Sequence, residues 1–281
     1  LEKTWEYVAK TKKAKIVEVK VPIPLLSENQ FVEAFKNKIN KKTKILFISH
    51  ITSPTALVFP LKKLIKEANK RGIISIIDGA HAPGHIKLNI SDLKADFYSG
   101  NCHKWMMAPK GAAFLWANKN NKNILEPLVI SHGWLPNNYR KLQKGEFSND
   151  RFIDNFEVQG TRDPSAWLAI PDAIKFIKNK KYAKAFNDSA KLAYETATRI
   201  AKLTKIPLLA NQDFLAPQMI SIPVPYCNVD NLKQKLLKKF NIEIPVIKWK
   251  NRCFVRISIQ IYNSKNEANK LINALKLIFK I

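Results

Sequence analysis

Two short runs constrain most strongly what this chain can fold into. Lys44-Ile45-Leu46-Phe47-Ile48-Ser49 and Ile73-Ile74-Ser75-Ile76-Ile77 are almost continuously apolar. That is the pattern of strands buried on both faces, not the alternation of a strand with one wet face. Between them, Pro60 to Arg71 carries an amphipathic helical pattern closed by Gly72 at a left-handed cap position. Strand, crossover helix and strand in that order is the building unit of an α/β fold. Asp78 stands at the carboxyl end of the second run, the end at which open α/β sheets bind ligands.

The flanking pattern extends the same architecture. Residues 2 to 12 are predicted as a helix, Ala14 to Val21 as a short strand, Glu33 to Asn40 as a helix and Asp96 to Ser99 as a strand. Gly111 to Ala117 reads as a further strand for which an antiparallel pairing is open. From about 132 to 160, Trp134, Pro136 and several Asn predict an extended loop near the site or an interface. Asp163 is the expected N-cap of a helix from Pro164 at N1 to Lys178. A long helix from Tyr182 to Leu203 follows. From about 206 the rhythm becomes strand (Met219 to Val224), helix (Asn231 to Phe240), strand (Ile242 to Lys248), strand (Cys253 to Tyr262) and helix (Asn266 to Phe279). This predicts a large domain over residues 1–180, a bridging helix over 181–205 and a small C-terminal α+β domain over 206–281.

Composition narrows the function classes. With 281 residues, 46% of them hydrophobic, disorder and small disulfide scaffolds are excluded. No stretch of about eighteen uncharged apolar residues suggests a transmembrane helix. The start at Leu1 has neither an initiator Met nor a signal-peptide core, so the large domain is expected to be N-terminally incomplete. The net charge of +26 raises nucleic-acid binding. However, the Lys doublets, such as Lys41-Lys42 and Lys180-Lys181, are spread along the polar faces of helical patterns, and Arg is rare. A solvated surface that favours small anions is the better reading, and a nucleic-acid partner is not expected. Cys102, Cys227 and Cys253 form no paired spacing, so neither a disulfide framework nor a zinc site is expected, and a cytoplasmic setting fits.

Lys104 is the most suggestive single residue, because it follows a strand, lies between His103 and Trp105 and precedes Ala108-Pro109-Lys110-Gly111. A lysine becomes a Schiff-base nucleophile when burial or neighbouring charge lowers its pKa. Asp78 could hold the pyridinium nitrogen of a pyridoxal cofactor protonated, which makes the ring an electron sink. The plainer reading of Asp78 is a turn or helix-capping residue. His81, His85 and His103 with Cys102 and Asp78 also raise a metal site, but Pro83 and Gly84 interrupt the only helical His spacing, so no metal is expected. His85 and His132 read as surface or packing positions, and Trp105 and Trp167 as core or interface aromatics. No glycine-rich phosphate loop occurs, which disfavours NTPase and nicotinamide chemistry.

Four ordered segments carry a resemblance. They are His50-Ile51-Thr52-Ser53-Pro54-Thr55, Ile77-Asp78-Gly79-Ala80-His81-Ala82-Pro83-Gly84, Ser99-Gly100-Asn101-Cys102-His103-Lys104-Trp105 and Gly160-Thr161-Arg162-Asp163-Pro164-Ser165. Together with Val255-Arg256-Ile257-Ser258, they resemble the class V aminotransferase family of fold type I pyridoxal-phosphate enzymes. The nearest branch is isopenicillin N epimerase-like and is related to cysteine desulfurases. The resemblance implies a mostly parallel sheet in a large domain, a small C-terminal α+β domain and pyridoxal 5'-phosphate as cofactor. It implies that Lys104 forms the internal aldimine and shuttles the α-proton, that Asp78 pairs with the pyridine nitrogen and that His81 lies near the phenolic oxygen. Asn101 and His103 would line the phosphate or the ring edge, and Ser53 and Thr55 would contact cofactor or substrate. Gly160 and Thr161 would lend a phosphate contact from the neighbouring subunit of a homodimer, and Arg256 would grip the substrate α-carboxylate through a bidentate pair. The segment expected upstream of Leu1 would hold the cofactor phosphate at a helix N-terminus and stack on the ring.

The leading expectation is therefore a pyridoxal-phosphate enzyme acting at the α-carbon of an amino acid, as an epimerase or aminotransferase. A persulfide-forming desulfurase ranks lower, since it needs a cysteine on a mobile loop, whereas Cys253 lies in a strand pattern and Cys227 near a strand end. C–S lyase chemistry without a cysteine stays open. The alternative from another class is a catalytically inactive, basic nucleic-acid-binding protein on the same fold.

Overall fold

The computed structural model describes residues 2–134, 148 and 150–281. They form two compact units, one made of Leu1–Lys44, Thr52–Ile73 and Asp188–Ile281, the other of Ile45–Ile51 and Ile74–Asn187.

The second of these units is built on a four-stranded sheet of β1 (Ile45–Ser49), β2 (Ile74–Asp78), β3 (Phe97–Asn101) and β4 (Ala113–Ala117), in that spatial order. β1 and β2 are parallel, with Ser49 opposite Asp78, and β2 and β3 are parallel, with Asp78 opposite Ser99. β3 and β4 are antiparallel. The sheet is thus mostly parallel, and its parallel strands end together around Ser49, Asp78 and Ser99. Burial alternates more than the apolar runs predicted. Leu46, Ile48, Ser75 and Ile77 are buried, while Ile45 is exposed and Phe47, Ile74 and Ile76 are half-buried.

A buried polar clamp holds β2 to the start of β3. The Asp96 carboxylate accepts from the Ser75 N–H at 2.7 Å and from its hydroxyl at 2.9 Å, and the Asp96 N–H donates to Ser75 Oγ at 3.0 Å. With Ser75 and Asp96 both buried, these bonds satisfy groups that would otherwise be stranded away from water at a cost of roughly 1–3 kcal/mol each.

Where a loop was expected between 132 and 160, residues 135–147 and 149 lie outside the described residues, and Arg151–Glu157 forms helix α5. The Asp150 carboxylate caps it by accepting from the Phe152 N–H. The short helix α4 (Ile90–Leu93) precedes β3. The helix expected over 164–178 is two helices, α6 (Ser165–Leu168) and α7 (Ile170–Ile177). Pro171, which lacks an N–H, sits in the first turn of α7, where that loss is harmless. Asp163 does cap, accepting from the Ser165 N–H at 2.9 Å, but Pro164 occupies the N-cap position rather than N1. Helix α8 (Lys180–Thr204) follows.

The other unit contains α1 (Glu2–Thr11), α2 (Glu28–Lys36) and α3 (Leu61–Lys70). Ser27 caps α2, accepting from the Gln30 N–H, so this helix starts five residues before the predicted Glu33. Ala14 to Val21 is not a strand: it has no ladder partner among the described residues, and Ile16 and Val17 are exposed. A strand without a partner leaves its backbone to water and gains nothing from pairing. Gly72 takes the predicted left-handed conformation after α3, with φ +64°. The C-terminal segment forms an antiparallel sheet in the order β5 (Met219–Val224), β7 (Arg252–Ser258) and β6 (Val246–Trp249). It is flanked by α9 (Val229–Phe240) and α10 (Lys265–Phe279), the latter opened by a Ser264–Glu267 capping box. All six residues of β5 are buried.

Candidate active site

The geometry begins at the carboxyl end of β2. Asp78 Oδ1 accepts from the Ala80 N–H at 3.0 Å, which fixes the carboxylate, and Oδ2 accepts no hydrogen bond among the described residues. The next residue, Gly79, lies under the Tyr98 ring: a Cβ there would come within 2.1–2.2 Å of Tyr98 Cε1, Cζ and Oη. Tyr98 is fully buried and shares a 2.9 Å hydrogen bond with Nδ1 of His50 at the end of β1. Burial, assisted by the charge of Asp78, pushes the Tyr98 phenol up, so it stays protonated.

The turn after Asp78 then meets the segment after β3. His81 Nε2 lies 3.3 Å from Lys104 Nζ, and the Trp105 Nε1–H donates to His81 Nδ1 at 3.4 Å. His85 stacks on Trp105 with ring centroids 3.9 Å apart and planes at 16°, and its Nδ1–H donates to the His81 carbonyl at 3.2 Å. Gly84, at φ +74°, makes this approach possible, because a Cβ there would lie 2.6 Å from Met106 N and 2.7 Å from the Trp105 carbonyl carbon. On the other side of Lys104, the His103 Nδ1–H donates to the Ala112 carbonyl at 3.0 Å. Asn101 ends β3 opposite Ala113.

Burial pulls His50 down to about 4 and His85 to about 3, both from 6.5. A histidine whose folded pKa is depressed contributes stability that is present above the unfolded value and is lost as pH falls toward the folded one. The gap at His50 corresponds to about 3 kcal/mol. We expect melting temperature to drop steeply between pH 6.5 and 4, and His50→Asn to flatten that drop. A wild-type melting temperature constant across this window would show that these rings are not held neutral.

The remaining predicted residues occupy other places. Gly160, at φ +92°, and Thr161 are exposed on the segment between α5 and α6. In the other unit, Arg256 on β7 donates through Nη1 to Ser53 O at 2.7 Å and Ser53 Oγ at 3.0 Å. Its Nε is buried without a partner among the described residues, and desolvation lowers its pKa. Thr55 is buried and bonds Thr52, Oγ1 to Oγ1 at 2.6 Å. The structure therefore brings Asp78, His81 and Lys104 together beside Asn101 and His103, and separately brings Arg256 onto Ser53.

Sequence reasoning missed four contributors: His50, Tyr98, His85 and Trp105. Trp105 was read as a core aromatic and is buried, but its N–H is also committed to His81. A tryptophan directly after the candidate lysine was the available signal, since a buried indole N–H usually finds an acceptor.

A lysine amine, an imidazole and a carboxylate are thus gathered at the carboxyl end of a mostly parallel sheet, the end at which α/β folds bind ligands. Comparison with known proteins makes this specific. Residues 2–271 match the model of the aminotransferase class-V family. The chain is 31% identical to an isopenicillin N epimerase of Amycolatopsis lactamdurans, covering 98% of this chain and 70% of that protein. It is 27% identical to a probable chloroplastic L-cysteine desulfhydrase of Arabidopsis thaliana, covering 92% of this chain and 57% of that protein. An apo cysteine desulfurase of Thermococcus onnurineus NA1 shares the fold at a TM-score of 0.78 and 20% identity, covering 98% of this chain and 69% of that one. The chain belongs to the aminotransferase class-V family, whose cofactor is pyridoxal phosphate.

The residues present fit that cofactor. An aldehyde needs an amine, here Lys104. A pyridine nitrogen kept protonated needs an acceptor-only group, and Asp78 Oδ2 is such a group, with its carboxylate fixed by Ala80. Among the described residues no helix is long and apolar enough to cross a membrane.

Proposed function

We propose that this protein is a pyridoxal-phosphate enzyme acting at the α-carbon of an amino acid, with epimerase-like or aminotransferase outcome, in the cytoplasm and as a homodimer. The observation that carries the reading is the approach of Lys104 Nζ to His81, three residues beyond Asp78 at the end of β2. Bound pyridoxal phosphate supplies the electron sink that acidifies an amino acid's α-C–H. Lys104 Nζ would hold the cofactor and would move the substrate's α-proton. Asp78 keeps the pyridine nitrogen protonated. His81 hydrogen-bonds near the phenolic oxygen, and Asn101 and His103 line the phosphate or ring edge. Ser53 and Thr55 serve cofactor or substrate binding, in the case of Ser53 by fixing the Arg256 guanidinium. Arg256 takes the substrate α-carboxylate, a role supported by its buried Nε. Gly160 and Thr161 contribute a phosphate contact to the neighbouring subunit. We assign cofactor binding to residues 1–180, a bridge to 181–205 and the small domain to 206–281.

The state of the three cysteines supports this outcome over persulfide-forming desulfuration. Burial pushes the thiols of Cys102 and Cys227 up, the latter to about 12 with help from neighbouring Cys253. Cys253 is itself buried, and its thiol donates to the Cys227 carbonyl at 3.2 Å. Attack on sulfur needs an accessible thiolate. C–S lyase chemistry, which needs none, is the second reading, favoured by the likeness to the desulfhydrase.

The test is to add pyridoxal phosphate, reduce with borohydride and map the modified peptide by mass. We expect a single pyridoxyl group on Lys104. Adducts scattered over surface lysines with none on Lys104 would remove the basis of the reading.

A further inference from the structure

β5 is buried along its whole length, and Ser221 carries the one hydroxyl in it. A buried hydroxyl left without a partner is costly. Ser221 directs its proton away from the strand ladder: its Oγ–H donates to the Pro54 carbonyl at 2.7 Å, 167 residues away in sequence. Directly opposite Ser221 in the antiparallel pairing of β5 and β7 stands Arg256. The Arg256 guanidinium reaches the residue just before Pro54, donating through Nη1 to the Ser53 carbonyl at 2.7 Å and to Ser53 Oγ at 3.0 Å. Two residues that face each other across the sheet therefore hold two successive carbonyls of one turn.

That turn decides how the guanidinium is oriented. Among the described residues its hydrogen bonds all leave from Nη1 for Ser53, while the buried Nε has no partner. A planar group tied at one nitrogen keeps its direction only if its acceptors are themselves fixed. The turn is stiff: Pro54 has a locked φ and restricts Ser53 before it, the Ala56 N–H donates to the Thr52 carbonyl at 2.9 Å, and the Leu57 N–H donates to Thr52 Oγ1 at 2.9 Å. The Ala216 N–H ties the far end of the turn through the Ala56 carbonyl at 3.2 Å, and Ser221 ties the end next to Ser53. We infer that Ser221 is a positioning residue: through the Pro54 carbonyl it fixes the turn that aims the Arg256 guanidinium, and so sets how tightly a substrate bearing an α-carboxylate is held. This inference rests on the carboxylate-binding role given to Arg256 above.

The test pairs two readouts on wild type, Ser221→Ala and Arg256→Lys. The first is nitrogen-15 NMR of the Arg256 guanidinium in the cofactor-free chain, its signals identified by their loss in Arg256→Lys. The second is titration of the protein loaded with pyridoxal phosphate, followed by the cofactor's absorbance, with L-alanine and with ethylamine, which is the same amine without the carboxylate. The expected result is separate, slowly exchanging Nη signals in wild type and averaged ones in Ser221→Ala. L-alanine should bind about tenfold more weakly to Ser221→Ala, as when a charge-assisted contact is misaligned rather than removed. Ethylamine should bind both proteins alike, a split that a general loss of structure would not give. Nη signals as well separated in Ser221→Ala as in wild type overturn the inference. So does unchanged L-alanine binding in Ser221→Ala where Arg256→Lys weakens it, a result that leaves the role of Arg256 intact. L-alanine binding unchanged in Arg256→Lys as well would sink the carboxylate reading itself, and the inference with it. A chain that responds to neither amine would count against the cofactor reading, and the guanidinium signals would then decide whether Ser221 holds Arg256.

Discussion

Lys104→Ala is expected to lower α-proton exchange, measured as deuterium incorporation into a panel of amino acids, by a factor of about 10³ or more. General acid–base catalysis alone contributes about 10²–10⁴, and the same side chain also attaches the cofactor. Exchange is the suitable readout because epimerisation, transamination and C–S lyase chemistry all begin by removing the α-proton. The half-buried Lys104 side chain bonds His81 at a loop position outside any strand, so melting temperature should change little. Exchange at the wild-type rate in the variant would mean that another group moves the proton. An equal loss in melting temperature would mean that Lys104 is mainly structural.

Gly79→Ala should produce a large loss of stability for a single added methyl. The new Cβ would overlap the Tyr98 ring at 2.1–2.2 Å, far inside contact distance. The ring has nowhere to go: Tyr98 is fully buried, hydrogen-bonded to His50, and stacked at 6.2 Å on Phe114 of the neighbouring strand. Relief therefore requires moving β2 against β3, at the end of their pairing where Asp78 sits. Overpacking of this kind costs about 3 kcal/mol, a fall in melting temperature of about 5–10 °C for a chain of this size. Adding Tyr98→Leu should restore part of the loss by shrinking the obstructing ring. A Gly79→Ala protein that melts with the wild type would show that Tyr98 does not lie over Gly79.

Much of this was legible because it is local. Buried apolar runs marked β1 and β2, and a helix-then-glycine pattern marked α3 and its left-handed stop at Gly72. Asp78 could be singled out because it directly follows such a run, and Lys104 because it comes after the strand pattern over 96–99 and lies between His103 and Trp105. The false strand over 14–21 came from the same logic, since periodicity reports what a segment could pair with, not whether a partner is present. The start of α2 was missed because Ser27 as a cap competes with many other serines and threonines, and only its bond to the Gln30 N–H distinguishes it. The cysteines were read as unsuited to a persulfide loop from their neighbours in sequence alone. Their protonation, however, depends on burial that no spacing reveals.

The sequence by itself determined the fold class and, through four ordered motifs, the family. These follow from short-range preferences: alternation, caps, and residue types that suit one backbone geometry. Only the tertiary structure decided that the Trp105 N–H meets His81 Nδ1, because residues 24 apart in sequence are brought within 3.4 Å. It alone also decided that Arg256 rests on Ser53, 203 residues distant, and that Gly79 must stay bare beneath Tyr98. Hydrogen bonds and steric contacts between segments act over a few ångströms in space, and a single chain's order of residues does not contain those distances until it has folded.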